Sequence, residues 1–276
     1  MNIFRALKHF TTRNRTDLMH QVHKQGPQTV QLEWWSARPN VGDALSPVIV
    51  NWMMEQQQLD PAKGKPVHLL AVGSIIGPVR FDAVIWGAGI LDPFNIANVV
   101  RHSWYVKYDI RAVRGPITRS CLQEAGYDCP EVYGDPAVLM PLIYQPEDQT
   151  KKYPVSVILH FSSSLKPGKD VHQINVETDD YKDFIDQLTA SEKIISSSLH
   201  GIILAEAYGI PAVFLNQDVT DQSLKYLDWY YSTGRKNIKM ASTLEEALRM
   251  EPMELPDLRL MQQQIQDAFP TDLWHN

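Results

Sequence analysis

Two α/β domains of Rossmann type, facing each other across a cleft, are what this chain of 276 residues predicts. Three observations carry the prediction. Short apolar segments alternate with helical runs, a proline- and charge-rich stretch interrupts them at Ile143 to Pro154, and the alternation then resumes. Apolar strands separated by helices imply a largely parallel sheet covered on both faces.

The first 25 residues stand apart. Arg5, Lys8, Arg13, Arg15 and Lys24 face Asp17 alone, a local net of +4 in a chain whose total is −6. Ile3, Phe4, Leu7 and Phe10 recur at helical spacing, so residues 1–15 fit either an amphipathic helix on an anionic lipid surface or a helix packed on the domain. This basic amphipathic segment, 1–25, precedes an N-terminal Rossmann-like domain at 26–145. A C-terminal Rossmann-like domain with a closing helix spans 155–276.

In the N-terminal domain "TVQLEWW", "VHLLAVG", "DAVIWGAG", "WYVKYDIRAVR" and "PEVYG" are strand candidates. "SPVIVNWMMEQQQ" predicts a helix capped by Ser46 with Pro47 at its first position, and "GPITRSCLQEAG" repeats the device with Pro116. In the C-terminal domain "VSVILHF", "EKIISSS" and "PAVFL" are strands. "DFIDQLTA", "GIILAEAYG", "TLEEALRM" and "LRLMQQQIQDAF" are helices, the last tying the domains together.

Bulk properties narrow the function. A net charge of −6 leaves no protein-wide basic field, which excludes nucleic acid as a partner and requires a local cation cluster for any anionic ligand. Cys121 and Cys129 show no CxxC pair or metal-ligand spacing, so no metal is expected. Apolar runs of membrane-spanning length and a secretory signal are both lacking, which predicts a cytoplasmic location.

Ligands of open parallel sheets bind at the carboxyl ends of the strands, and four polar clusters fall there. In "ISSSLHG" the turn from strand to helix exposes unpaired N–H groups where the helix dipole is positive. An anion would dock there, met by Ser196, Ser197 and Ser198, by the bare backbone of Gly201 and by His200 as hydrogen-bond or proton donor. The alternative makes Ser198 a helix cap and His200 a turn residue. Glu206 is a structural carboxylate.

In "RAVRGP", Arg114 stands at a strand tip, suited to bidentate binding of a carboxylate or phosphate. Arg111 points to the other face as half of an internal ion pair. In "PNVGDALSP", Asn40, Gly42 and Asp43 lie in the loop before the helix, and Asp43 either accepts a proton from an attacking hydroxyl or orders the loop. In "YGDPAVL", Asp135 is either a second carboxylate of the site or a turn former. His160 is a weaker candidate. "KYLDWYYSTGR" places Trp229, Tyr230 and Tyr231 in a loop where they could stack on sugar rings, with Lys225 and Arg235 for charge; the alternative is that the rings pack into the core, against which their crowding beside Asp228, Ser232 and Gly234 argues for a surface.

"NVGD", "VGS", "WGAGI", "RAVRGP", "EVYGDPAVL" and "ISSSLHGIILAEAYGIPAVFL", in this order, resemble the polysaccharide pyruvyltransferase family; "KYLDWYYSTGR" and "FPTDLW" add a likeness to its ketal-forming members. The resemblance implies a glycosyltransferase-B-like pair of Rossmann-like domains. It also implies transfer of pyruvate from phosphoenolpyruvate to a sugar of a lipid-linked surface polysaccharide precursor, with a ketal formed and phosphate released. No cofactor beyond the donor substrate is implied.

In these terms His200, Asp43 and Asp135 are the catalytic candidates, and Arg114, Arg111, Ser197, Ser198 and Gly201 bind the donor. Asn40, Lys225, Trp229, Tyr230, Tyr231 and Arg235 bind the acceptor. Many family members carry a basic residue directly before Leu-His-Gly, where this chain has Ser198; Arg111, Lys225 or Arg235 would compensate. The competing functions are a nucleotide-sugar-dependent glycosyltransferase and a non-catalytic glycan-binding paralogue. A dinucleotide oxidoreductase is disfavoured, because "GAG" lacks the full GxGxxG.

Overall fold

The computed structural model describes residues 30–168, 171–217 and 223–274; the basic segment 1–25 lies outside them. Within the described residues two all-parallel sheets form. The first holds β1 (Gln31–Glu33), β2 (His68–Leu70), β3 (Ala83–Trp86) and β4 (Tyr108–Ala112) in the order β1-β2-β3-β4. The second holds β5 (Ser156–Ile158), β6 (His172–Gln173), β7 (Ile194–Ser196), β8 (Ala212–Leu215) and β9 (Met240–Ala241) in the order β6-β5-β7-β8-β9. The strand candidate "PEVYG" shrinks to a single bridge, Val113 to Tyr133.

In the second sheet β6 lies on one side of β5 and β7 on the other, so the chain reverses its direction of travel between β5 and β7. Such a switch point opens a crevice at the strand ends. His160 and the triple-serine turn border it.

The helices are α1 (Val41–Gln56), α2 (Pro93–His102), α3 (Pro116–Glu124), the short α4 (Met140–Ile143), α5 (Tyr181–Thr189), α6 (Leu199–Ala207), α7 (Ser223–Ser232), α8 (Leu244–Arg249) and α9 (Arg259–Asp267). Two depart from expectation. Helix α1 starts five residues before Ser46, because Asn40 caps it: the Asn40 side chain accepts a hydrogen bond from Gly42 N at 3.0 Å. Gly42 and Asp43 therefore belong to the first helical turn, not to a loop. Pro47 sits inside the helix, and Ser46 serves as an anchor, its hydroxyl accepting from Val72 N at 3.3 Å.

The second departure is "KYLDWYYSTGR", most of which is helix α7 instead of a loop. Tyr226, Trp229 and Tyr230 are buried at spacings of three and four, which is one apolar face of a helix. The core absorbs these rings. Helix α2 was not anticipated; its signal is Asp92 before Pro93, with the Asp92 carboxylate accepting from Asn95 N at 2.9 Å.

One apolar cluster runs through both halves, joining Leu69 and Trp86 below the first sheet to Leu45 and Ile49 of α1, Ile202 and Leu204 of α6, and Phe214 of β8. Helix α9 returns to the first sheet, where Trp86 Nε1 donates to Ile265 O at 2.8 Å and Phe269 packs edge-on against the Trp86 ring.

Candidate active site

Helix α6 opens on Ser198, whose side chain makes no capping hydrogen bond. The neighbouring Ser196 hydroxyl locks the turn instead: it accepts from Ser198 N at 3.0 Å and donates to Ser198 O at 2.8 Å. Ser197 Oγ accepts from His160 N at 2.9 Å, tying the ends of β5 and β7 together. Gly201 lies so close to Ser196 that a Cβ there would fall 2.4 Å from its hydroxyl. The glycine therefore packs the turn.

His200 is buried in the first turn of α6, and three segments converge on it. Gly42 of α1 presses against the imidazole, where a Cβ would fall 1.8 Å from Nδ1. Asp135 approaches the other ring nitrogen, with Oδ2 3.6 Å from Nε2. Neither of those two atoms has a hydrogen-bond partner, although both are buried. Such orphaned atoms are rare in folded proteins, and here they face each other with room for a proton or a small movement. Asp135 Oδ1 also accepts from Ala137 N at 3.0 Å, so the residue is a turn former as well.

Asp43 is the third member. Val41 N donates to Val176 O at 3.0 Å, which fixes the start of α1 onto the second half of the chain beside α6. The residue is half-buried, but its carboxylate turns inward onto Gly73, where a Cβ would lie 2.8 Å from Oδ1. Gly73 has φ +107°, a conformation that favours glycine. Burial pushes the Asp43 carboxyl up to about 6, against the downward pull of His200 and Lys225 and with a smaller upward push from Asp135.

Arg114 stands at the predicted place but is wholly buried. Its guanidinium donates to Asp228 Oδ2 at 3.2 Å, Ser74 Oγ at 2.6 Å and Ile90 O at 2.6 Å. Asp228 in turn accepts from Ile117 N, Thr118 N and Thr118 Oγ at the start of α3. An internal carboxylate thus occupies the anion site formed by a helix N-terminus and an arginine. The fork expected for a donor anion is spent within the fold.

The remaining candidates separate. Arg111 is held by Asp109 and Asp272. Arg235 grips Glu206 through both terminal nitrogens at 2.6 and 2.8 Å, and Trp229 Nε1 donates to the same carboxylate. Trp229 and Tyr230 are fully buried, which removes them from any sugar-stacking surface, whereas Tyr231 is exposed. Asn40 spends its side chain on the cap of α1. Lys225 is buried and acts on Asp43. Among the described residues no group of three or more His, Cys, Asp or Glu side chains is placed to hold a metal ion. Asp228 and Gly73 are functional neighbours that sequence reasoning misses; an acidic residue inside an aromatic helical face and a glycine just past a strand are their only signals.

Residues 58–219 match the model of the polysaccharide pyruvyl transferase family. The chain belongs to that family. It is 27% identical over 213 residues to the succinoglycan biosynthesis protein ExoV of Rhizobium meliloti, covering 73% of this chain and 64% of that protein. It is 28% identical over 177 residues to an uncharacterised protein of Acanthamoeba polyphaga mimivirus, covering 59% and 58%. The matches thus span about three fifths of the length of these relatives. A functionally uncharacterised protein of Klebsiella pneumoniae, known from a crystal structure, shares the fold with a TM-score of 0.52 at 14% identity, over 84% of this chain and 94% of that one. The family match contains Arg114, Asp135 and His200 and leaves out Asp43, Lys225 and Asp228.

Proposed function

We propose that this protein transfers pyruvate from phosphoenolpyruvate to a sugar of a lipid-linked surface polysaccharide precursor, forming a pyruvate ketal and releasing phosphate. The observation that carries the proposal is the convergence of Asp43, Asp135 and His200 beside the uncapped start of α6. Membership of the polysaccharide pyruvyl transferase family supports the group transferred and the class of acceptor.

Ketal formation needs an acid, a base and fixed positive charge. The methylene carbon of the enol phosphate takes a proton while a sugar hydroxyl adds to the adjacent carbon and gives up its own. A second hydroxyl then forms the other C–O bond as the bond to phosphate breaks, and its proton leaves with the phosphate. His200, backed by Asp135, is the acid, an imidazole being suited to give and take a proton at physiological pH. Asp43 is the base; its raised value keeps it basic enough to accept a hydroxyl proton near neutrality.

Nothing in these steps requires a redox cofactor. On this reading the two sheets belong to two Rossmann-like domains and the substrates bind in a cleft between them. The reaction takes place at the cytoplasmic face of a membrane, with residues 1–15 as the contact to it. The test is phosphate release from phosphoenolpyruvate with mannose-, galactose- and glucose-terminated glycans. Release that requires an acceptor and falls about 10²- to 10⁴-fold in His200→Gln supports the proposal. Absence of release with every acceptor, in folded protein that binds glycan, favours a non-catalytic paralogue.

A further inference from the structure

Trp104 is the most exposed large apolar side chain among the described residues, at 83%. It stands in the turn between α2 and β4, edge-on to the Tyr105 ring at 4.7 Å, and Tyr105 is edge-on to His102 at 5.6 Å. Tyr105 itself and Val100, in the last turn of α2, are exposed as well. Scattered apolar residues on a surface need no explanation, whereas a cluster of rings on one turn marks a surface that meets something.

The ground around the rings is basic. Arg80, Arg101 and Lys107 are exposed, and none of them forms a salt bridge among the described residues. Burial pushes the His102 imidazole down, with Arg80 and Arg101 adding to the shift, so both guanidinium groups act on the ring that Tyr105 touches. Asp82 is also at this place, its carboxylate accepting from Lys107 N at 2.7 Å, which leaves an excess of positive charge. Arg101 suits the carboxyl end of the α2 dipole; Arg80 has no such role.

The sheet register shows what else lies at this end. Gln31, His68, Ala83 and Tyr108 pair across the first sheet, so Arg80, Lys107 and the chain preceding Gln31 all stand at the amino ends of the strands. Three strand spacings, about 14 Å, separate β1 from β4. The basic segment 1–25 therefore joins the sheet at the same end as the exposed rings.

From this placement we infer that the turn carrying Trp104 and Tyr105, with Arg80 and Arg101, docks on an anionic lipid surface. Tryptophan and tyrosine suit the boundary between headgroups and acyl chains, and unpaired arginines suit the headgroup charge. Two other occupants fit less well: the preceding segment, with its own net of +4, and a second copy of this patch would each set like charges together. On the function proposed above, this docking holds the carboxyl ends of the strands about 15 Å from the membrane, which suits a sugar carried some way from its lipid.

The test is flotation of the full chain with vesicles of phosphatidylcholine mixed with phosphatidylglycerol, beside vesicles of phosphatidylcholine alone. Wild type should bind the mixed vesicles and come off at high salt. Arg80→Gln and Arg101→Gln together should weaken binding by about tenfold to thirtyfold, each cation near an anionic surface being worth about fivefold. Trp104→Ser should weaken it by at least about fivefold, and Leu248→Ser, exposed on α8, should leave it unchanged. Brominated lipid should quench the tryptophan emission of wild type and far less that of Trp104→Ser, because Trp86, Trp229 and Trp274 are buried. Trp104→Gln replaces the serine variant if circular dichroism shows that one unfolded. Unchanged binding in both the arginine and the Trp104 variants would overturn the inference and leave residues 1–15 as the contact. Absence of binding by wild type would overturn it too, as would binding without quenching of Trp104, the result expected if the N-terminal segment or a second copy covers the rings. The measurement uses neither donor nor acceptor, so a failure of pyruvyl transfer leaves its result standing.

Discussion

Asp43 shows how one residue couples chemistry to stability. Its carboxyl titrates near 6 in the folded protein because its charged form is buried, against an ordinary value of 3.8. Activity that uses Asp43 as base should fall as pH drops through about 6, and Asp43→Asn should lose about 10²- to 10⁴-fold in rate together with this acid limb. For stability the sign is opposite. A folded value above the unfolded one stabilises the protein below about pH 4, and that contribution is lost as pH rises through about 6. Asp43→Asn should therefore be more stable than wild type at pH 8 in urea unfolding, with the gain shrinking toward pH 5. A variant that is both slower and less stable at pH 8 would contradict this. The residue types of the site were legible in the sequence, since a histidine at a strand-to-helix turn and aspartates beside glycines are local signals. Which of them meet was not: Gly42 touches His200 across 158 positions, and Arg114 finds Asp228 across 114.

Elements position these residues, and two of them offer direct tests. Helix α1 carries Gly42 against the imidazole, so Gly42→Ala forces a methyl group into His200. Alanine is the better helix former by about 1 kcal/mol, so a loss of stability in this variant can come only from that contact. We expect a net loss of about 1–3 kcal/mol by chemical denaturation and at least a tenfold loss of turnover. The buried pair between α7 and the start of α3 gives the second test. Asp228→Ala leaves the Arg114 charge buried and α3 without its capping carboxylate, which should cost about 3–5 kcal/mol. A loss below about 1 kcal/mol would mean that solvent reaches Arg114. The start of α6 was legible because strand, turn and helix follow one another within a few residues. The start of α1 was displaced because Ser46 and Pro47 imitate a cap and first turn. Helix α7 was misplaced because three adjacent aromatic residues look like a surface cluster until their spacing is set against an apolar face.

At the scale of the molecule, alternating strands and helices made the α/β class and the parallel sheets legible. Strand order, which creates the switch point between β5 and β7, depends on pairings distant in sequence and was not. The same non-local contacts join the halves. The shared apolar cluster and the return of α9 to Trp86 imply that residues 30–145 expressed alone expose core surface and do not fold cooperatively, which denaturant titration would show. A cooperative transition in that fragment would contradict the shared core. What the whole arrangement is for can be settled on the product. The most direct measurement is the proton NMR spectrum of an acceptor glycan after incubation with phosphoenolpyruvate and wild-type protein, beside the His200→Gln variant. A new ketal methyl signal on the glycan with wild type, and its absence with the variant, is the predicted result; an unmodified glycan for every acceptor class, with folded wild-type protein, would contradict pyruvyl transfer at this site.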